Sequence, residues 1–320
     1  MGKRETLLFA PAHTAVLAER TARALGLALA PSEEREFDGG EHKIRPLREV
    51  RGCDVFVMQS LAGDEHASAN DKLCRLLFFI GALKDAGAAR VTACTPYLCY
   101  ARKDRRTQAR DPVTTRYVAA MFEAVGVDRV LVLEVHNEAA FDNAFRCEAI
   151  RLSSGSVFSE HLARLGASSN LTVASPDVGG IKRAQVLRET LASKFNDQFG
   201  FAFMEKRRAA GVVSGDKLIG DVAGRDVLIF DDLIASGGTI ARAARAARAA
   251  GARRVYAAAS HAVFTPAAVQ LFDPDGPDAV LVSDSVALPA AFERFTQGSL
   301  QICSVAPLFA AAITELVRSD

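Results

Sequence analysis

Asp231 and Asp232 stand side by side at the end of the apolar run VLIF, and the chain continues LIASGGT into a stretch rich in Ala and Arg. In an open parallel sheet, ligands bind beyond the C-terminal ends of the strands, which is where such a run delivers the two acids. Adjacent carboxylates suit a vicinal diol, such as the 2- and 3-hydroxyls of ribose. An unpaired carboxylate in apolar surroundings is costly, so neither acid is expected to lie deep. Ala235, Ser236, Gly237, Gly238 and Thr239 follow. The glycines permit backbone torsions that other residues resist, letting several N–H groups turn toward one point. Ser236 and Thr239 add hydroxyl donors, and a helix starting near Thr239 adds free N–H groups and the positive end of its dipole. This describes a phosphate cradle, without the spacing or the Lys of a Walker A loop. Diol acceptors beside a phosphate cup describe a site for a pentose 5-phosphate. An ordinary strand–loop–helix turn would explain the glycines but not the paired acids.

The elements that must position these residues follow a regular alternation. Apolar runs predict strands at 6–10, 54–60, 90–97, 129–136, 171–177, 226–232, 254–261 and 279–285. Helical patterns lie between them, and two of these end on Gly87 and Gly251, which fit C-terminal caps. Strands apolar almost throughout, spaced by helices, indicate parallel sheets covered on both faces, an α/β fold. The chain also repeats itself. VRGCDVFVMQSLAG (50–63) resembles VAGRDVLIFDDLIA (222–235), and each precedes a helix and then DAGAARVTACTPY (85–97) or AAGARRVYAAASH (249–261). Two related domains are expected, 1–150 and 151–306, with a C-terminal helix at 307–320 packing back on the first.

Bulk properties narrow the partners. The 320 residues are 49% hydrophobic and 24% charged, with a net charge of +1, so no global field draws the chain to nucleic acid or a lipid surface. No run of apolar residues is long enough to span a membrane, and the N-terminal apolar run, broken by Pro11 and His13, is too short for a secretion signal. Six scattered cysteines without a C-x-x-C pair suggest buried, reduced thiols in a cytoplasmic protein.

The ASGGT stretch resembles the phosphoribosyl pyrophosphate binding motif shared by type I phosphoribosyltransferases and phosphoribosyl pyrophosphate synthetases. Further segments resemble the synthetases, the ribose-phosphate pyrophosphokinase family. PYLCYARKDRR (96–106) is similar to their PY-x-x-YAR-Q-D segment, and LEVHN (133–137) to their DLH element. SPDVGGIKRA (175–184) is similar to SPD-x-GG-x-KR, MEKRRAAG (204–211) to the KRR of their catalytic loop, and FDGGE (37–41) to FSDGE. The segments occur in the family's order, from about residue 6 to the C-terminus.

The resemblance implies two tandem type I phosphoribosyltransferase-like domains, each a mainly parallel sheet flanked by helices. It implies transfer of pyrophosphate from ATP to the 1-hydroxyl of ribose 5-phosphate, giving 5-phosphoribosyl 1-pyrophosphate and AMP. Lys206 and Arg208 would be catalytic, and Asp231, Asp232 and Ala235 to Thr239 would hold ribose 5-phosphate. Phe37, Gly39, Gly40, Glu41, Arg102, Lys103 and Asp104 would bind ATP, with His136 and Asp177 as ligands to Mg²⁺. A neighbouring subunit completes the ATP site in this family, so a homo-oligomer, a dimer or a multiple of it, is implied. Residue by residue, a lone His at a strand end and a solvated basic run are the plainer readings of His136 and of Lys206–Arg208; their company at a phosphate site changes that. Departures from the family pattern fall at Gly39 (for Asp), Lys103 (for Gln), Glu134 (for Asp), Asn137 (for Ala) and Ala235 (for Asp), and leave the phosphoryl donor open. Two alternatives stand beside the synthetase: a phosphoribosyltransferase, and a non-catalytic synthetase-associated regulatory subunit.

Overall fold

The computed structural model describes residues 4–166, 170–209 and 212–319, with side chains left out for 206–216. The chain begins with β1 (Thr6–Phe9), α1 (Ala15–Leu25), β2 (Ser32–Glu36), β3 (His42–Pro46), β4 (Asp54–Met58) and α2 (Ala69–Asp85). It continues through β5 (Arg90–Thr95), α3 (Thr114–Ala124), β6 (Arg129–Leu133), α4 (Glu138–Ala144) and β7 (Glu148–Leu152). The next elements are α5 (Gly155–Arg164), β8 (Leu171–Ser175), α6 (Ile181–Phe195), β9 (Gly200–Ala209) and β10 (Val212–Ile219). The last are β11 (Asp226–Ile234), α7 (Gly238–Ala249), β12 (Arg254–Ala262), β13 (Ala279–Ser283), β14 (Leu300–Cys303) and α8 (Ala306–Arg318). These divide into two compact units, Met1–Leu152 with Val305–Asp320, and Ser153–Ser304.

In the first unit, five parallel strands run in the order β1-β4-β5-β6-β7. β4 and β6 are buried at every position, as strands covered on both faces must be. β2 and β3 form a separate antiparallel hairpin, and α8 packs against α1.

In the second unit, seven strands run in the order β10-β9-β8-β11-β12-β13-β14, all parallel except the edge strand β10. Alternate residues of β11 face opposite layers. Val227 and Ile229 join Ile240, Ala241, Ala244 and Ala247 of α7, while Leu228 and Phe230 join Ala184, Leu187 and Leu191 of α6. The Ala-rich face of α7 lets the helix approach the sheet closely, and its Arg residues at 242, 245 and 248 keep the opposite side polar.

The internal repeat is carried by the same contacts in both halves. Gly52 N donates to Gly87 O and Gly224 N to Gly251 O. Gly87 and Gly251 both take positive φ just beyond α2 and α7, the left-handed turn expected of a helix end. Asp54 pairs with Arg90 as Asp226 pairs with Arg254. The Asp128 carboxylate accepts from Val91 N as that of Asp278 does from Val255 N.

All six cysteines are free thiols, and among the described residues no helix is long and apolar enough to cross a membrane.

Candidate functional site

Topology singles out one strand pair. In the second unit, β8 leads outward to β9, whereas β11 leads the other way to β12. The loops after β8 and β11 therefore diverge and leave a crevice at the C-terminal edge, the switch point where doubly wound sheets bind ligands. The first unit's five-stranded sheet advances in one direction only and has no such point. The loop after β8 carries Asp177, and β11 carries Asp231 and Asp232 followed by the glycine loop.

Asp232 is buried and Asp231 half-buried, deeper than their sequence suggests. The reason is Arg183, from the first turn of α6. Its Nη1 lies 2.9 Å from Asp231 Oδ1 and 3.2 Å from Asp232 Oδ1. A guanidinium shared between two carboxylates offsets the cost of burying them. Burial and the neighbouring Asp232 charge push the Asp231 carboxyl up to about 7, against the opposing pull of Arg183. Arg183 lies within the SPDVGGIKRA segment, but no feature of that segment alone ties it to Asp231, 48 residues away, or to Asp232 beside it.

Beyond β11, Gly237 caps α7 with φ +76°, and no side chain closes the helix start. The first N–H groups of a helix have no acceptor within it, so the start of α7 is open to an anion. A Cβ on Gly237 would come within 2.7 Å of Leu271, so glycine is needed for space as well as torsion. Ser236 is exposed and Thr239 half-buried, beside these N–H groups in sequence.

The repeat shows why the other half lacks this site. Gln59 and Ser60 stand where the second copy has Asp231 and Asp232. The loop after β4 is folded around a cation instead. Buried Lys72 donates to Ala62 O at 2.6 Å and pairs with Asp64. A loop turning carbonyl and carboxylate oxygens inward to an ammonium has the wrong polarity for phosphate.

Asp177 Oδ1 accepts from Gly180 N at 3.0 Å, which fixes the carboxylate at the start of α6. His136 is exposed just beyond β6, at the C-terminal edge of the first sheet. Its neighbour Asn137 caps α4 and donates through Nδ2 to Asp104 Oδ2 at 2.6 Å. The first unit thus brings the Arg102–Asp104 loop and the His136 turn together. Lys103 is held at 2.7 Å by Asp111, while Arg102 is exposed. Phe37, Gly39, Gly40 and Glu41 form the exposed tip of the β2–β3 hairpin, where Phe37 N donates to Glu41 O and both glycines have positive φ. Among the described residues, no hydrogen bond, ion pair or ring contact joins this tip to Arg102–Asp104.

Lys206 and Arg208 lie in β9, with backbone positions opposite Asp216 and Val213 of β10; their side chains lie outside the described residues. Among the described residues, no group of three or more His, Cys, Asp or Glu side chains is arranged to hold a metal ion.

A doubly wound domain with paired acids and an anion-ready glycine loop at its switch point, preceded by a second parallel-sheet domain that repeats part of its sequence and contacts, defines a class: enzymes that handle phosphoribosyl groups. Comparison with known proteins specifies the branch. A family model for the N-terminal domain of ribose phosphate pyrophosphokinase matches residues 6–126, and one for the phosphoribosyl transferase domain matches 151–283. The chain is 36% identical to the ribose-phosphate pyrophosphokinase of Haemophilus influenzae over 98% of its own length and 96% of the relative's. It is 38% identical to that of Vibrio parahaemolyticus over the same shares. The crystal structure of phosphoribosylpyrophosphate synthetase from Mycobacterium smegmatis superposes with a TM-score of 0.86 at 30% identity, covering 99% of this chain and 100% of that one. The chain belongs to the ribose-phosphate pyrophosphokinase family.

Proposed function

We propose that the chain transfers the β,γ-pyrophosphoryl group of ATP to the anomeric hydroxyl of ribose 5-phosphate. O1 attacks the β-phosphorus and the O1–Pβ bond forms. The bond from Pβ to the α,β-bridging oxygen breaks, AMP leaves with that oxygen, and the O1 proton passes to solvent. The observation that carries this reading is the Asp231–Asp232 pair, clamped by Arg183 one loop away from the open start of α7, in a chain whose whole length matches the synthetases.

Asp231 and Asp232 would accept from the 2- and 3-hydroxyls. Ala235 to Thr239 would take the 5-phosphate on their N–H and hydroxyl groups. Phe37, Gly39, Gly40, Glu41 and Arg102 to Asp104 would bind ATP, and Lys206 and Arg208 would meet the charge that builds on the transferring group. Phosphoryl chemistry of this type rests mainly on positioning and charge neutralisation. Mg²⁺ supplies part of that neutralisation on the triphosphate when bound, and His136 and Asp177 would each offer it a ligand. Mg²⁺ takes few protein ligands and keeps waters and phosphate oxygens, so two such side chains would suffice. The exposed hairpin tip, unconnected to Arg102–Asp104 among the described residues, is consistent with completion of the ATP site by a second subunit. A cytoplasmic setting agrees with six free thiols.

Raising the Asp231 carboxyl to about 7 gives a pH signature. Diol binding needs acceptors, so ribose 5-phosphate should bind most tightly above that value and weaken as pH falls through 7 toward 6. The expected slope is at most about tenfold per pH unit for a single proton. Calorimetric titrations from pH 6 to 8.5, with inorganic phosphate as the control for the phosphate's own ionisation, check this. Equal pH dependence for the two ligands would contradict it.

The activity itself is tested by incubating the purified protein with Mg²⁺ and ATP, with and without ribose 5-phosphate. AMP and 5-phosphoribosyl 1-pyrophosphate should form in equal amounts and only with the sugar present. No AMP above the ATP-only control, across several nucleotides, would overturn the proposal.

A further inference from the structure

After β12 the chain enters a short 3-10 helix, Pro266–Phe272, which lies against the glycine loop. Two successive loop carbonyls are turned onto this segment. Thr265 N donates to Ala235 O at 3.0 Å, and Gln270 Nε2 donates to Ser236 O at 2.7 Å. Leu271 fills the space that a Cβ on Gly237 would need. Gln270 Nε2 also donates to Ala267 O at 3.1 Å. Both of its partners are carbonyl oxygens, so only the NH₂ end of the amide can face them.

A planar trans peptide holds its C=O and N–H antiparallel, and the described backbone has no cis bonds. Turning the Ala235 and Ser236 carbonyls onto the 265–271 wall therefore turns the N–H groups of Ser236 and Gly237 to the opposite side. That choice of side decides whether the loop offers donors or acceptors to a ligand.

We infer that Gln270 is a positioning residue for the sugar phosphate: by holding the Ser236 carbonyl, its carboxamide aims the Gly237 N–H at the 5-phosphate. This rests on the reading of Ala235 to Thr239 as the 5-phosphate cradle. Gln270 acts through loop backbone, so its influence falls on the affinity for ribose 5-phosphate and not on ATP or on turnover. No feature of the sequence marks it, because Gln270 lies 34 residues from the carbonyl it holds.

The test is calorimetric binding of ribose 5-phosphate to the full-length protein, wild type, Gln270→Glu and Gln270→Lys, with steady-state kinetics beside it. Glu keeps the length but has no donor, and sets a negative charge against two carbonyls; Lys keeps a donor. Gln270→Glu should bind ribose 5-phosphate about tenfold more weakly or worse, the loss expected for one such bond replaced by repulsion. Its KM for the sugar should rise in step, while kcat and the KM for ATP hold. Gln270→Lys should bind at least nearly as well as wild type. Wild-type affinity in Gln270→Glu, an equal loss in Gln270→Lys, or an effect on kcat instead of KM would each overturn the inference. A wild-type protein that does not bind ribose 5-phosphate would overturn the cradle reading first, so the two failures are distinguishable.

Discussion

Lys206→Ala is expected to lower turnover by about 10²–10³ while leaving ribose 5-phosphate binding at wild-type strength, the cost of removing one group that meets charge only in the transition state. The groups proposed to hold the sugar lie on β11 and at the start of α7, whereas Lys206 sits in β9. Pyrophosphoryl transfer spreads new negative charge over the moving group and the departing α-phosphate oxygen. A cation that approaches there stabilises the transition state without contributing to the ground-state grip on ribose. Arg208→Ala should behave in the same way. Rapid-quench measurement of AMP, paired with calorimetry for ribose 5-phosphate, separates the two effects. An active Lys206→Ala protein, or one that loses sugar binding along with turnover, would contradict the role given to the KRR segment.

Arg183→Ala should weaken ribose 5-phosphate binding by about 10²-fold above about pH 7, where Asp231 is ionised in the wild type, because the two charge-assisted bonds proposed to the diol, each worth about 1.5–3 kcal/mol, depend on carboxylates whose charged forms Arg183 favours. Without the guanidinium, Asp231 and Asp232 are two buried like charges side by side, and the pair takes up a proton. A protonated carboxyl still accepts, but more weakly, and one of its oxygens becomes a donor. Raising the pH should restore part of the affinity in Arg183→Ala, and Arg183→Lys should restore more of it at pH 7. Affinity independent of pH in Arg183→Ala would show that the arginine shapes the crevice without setting its charge state.

Much of the fold was legible, and the exceptions share a physical cause. All eight runs read as strands are strands, because two-sided burial writes a continuous apolar signature: β4, β6, β8 and β13 are buried at every position. The β2–β3 hairpin was missed. SEERE and HKIRP carry almost no apolar residues: Ile44 alone is buried, and Glu33 pairs across the strands with Lys43 and Arg45, a pattern that in sequence reads as a solvated run. β7 and β14 are edge strands with mixed burial, too polar for the same rule, and β9 and β10 were missed as well, because the basic run at 206–208 reads as a solvated loop.

The candidate site divides along similar lines. Asp231, Asp232 and Ala235 to Thr239 fall within one short stretch, 231–239, so spacing alone suggested their joint chemistry. Arg183 and Gln270 reach the same site from α6 and from the segment after β12, and only the folded chain brings them there. The burial of Asp232 went against expectation for that reason: its cost is offset by a partner 49 residues away in sequence. The link between Asp104 and Asn137 was likewise invisible, although Asp104 itself and His136, the neighbour of Asn137, had been singled out.

The most direct test of the reaction follows one oxygen atom. Ribose 5-phosphate labelled with ¹⁸O at the anomeric hydroxyl is converted with unlabelled ATP, and the product is examined by phosphorus NMR and mass spectrometry. Attack by that hydroxyl on the β-phosphorus predicts the label in the C1–O–P bridge of 5-phosphoribosyl 1-pyrophosphate, with AMP unlabelled. Label lost from the bridge while the unreacted sugar keeps it would mean that the reaction changes bonds at C1, as in transfer of a phosphoribosyl group, and would contradict the account.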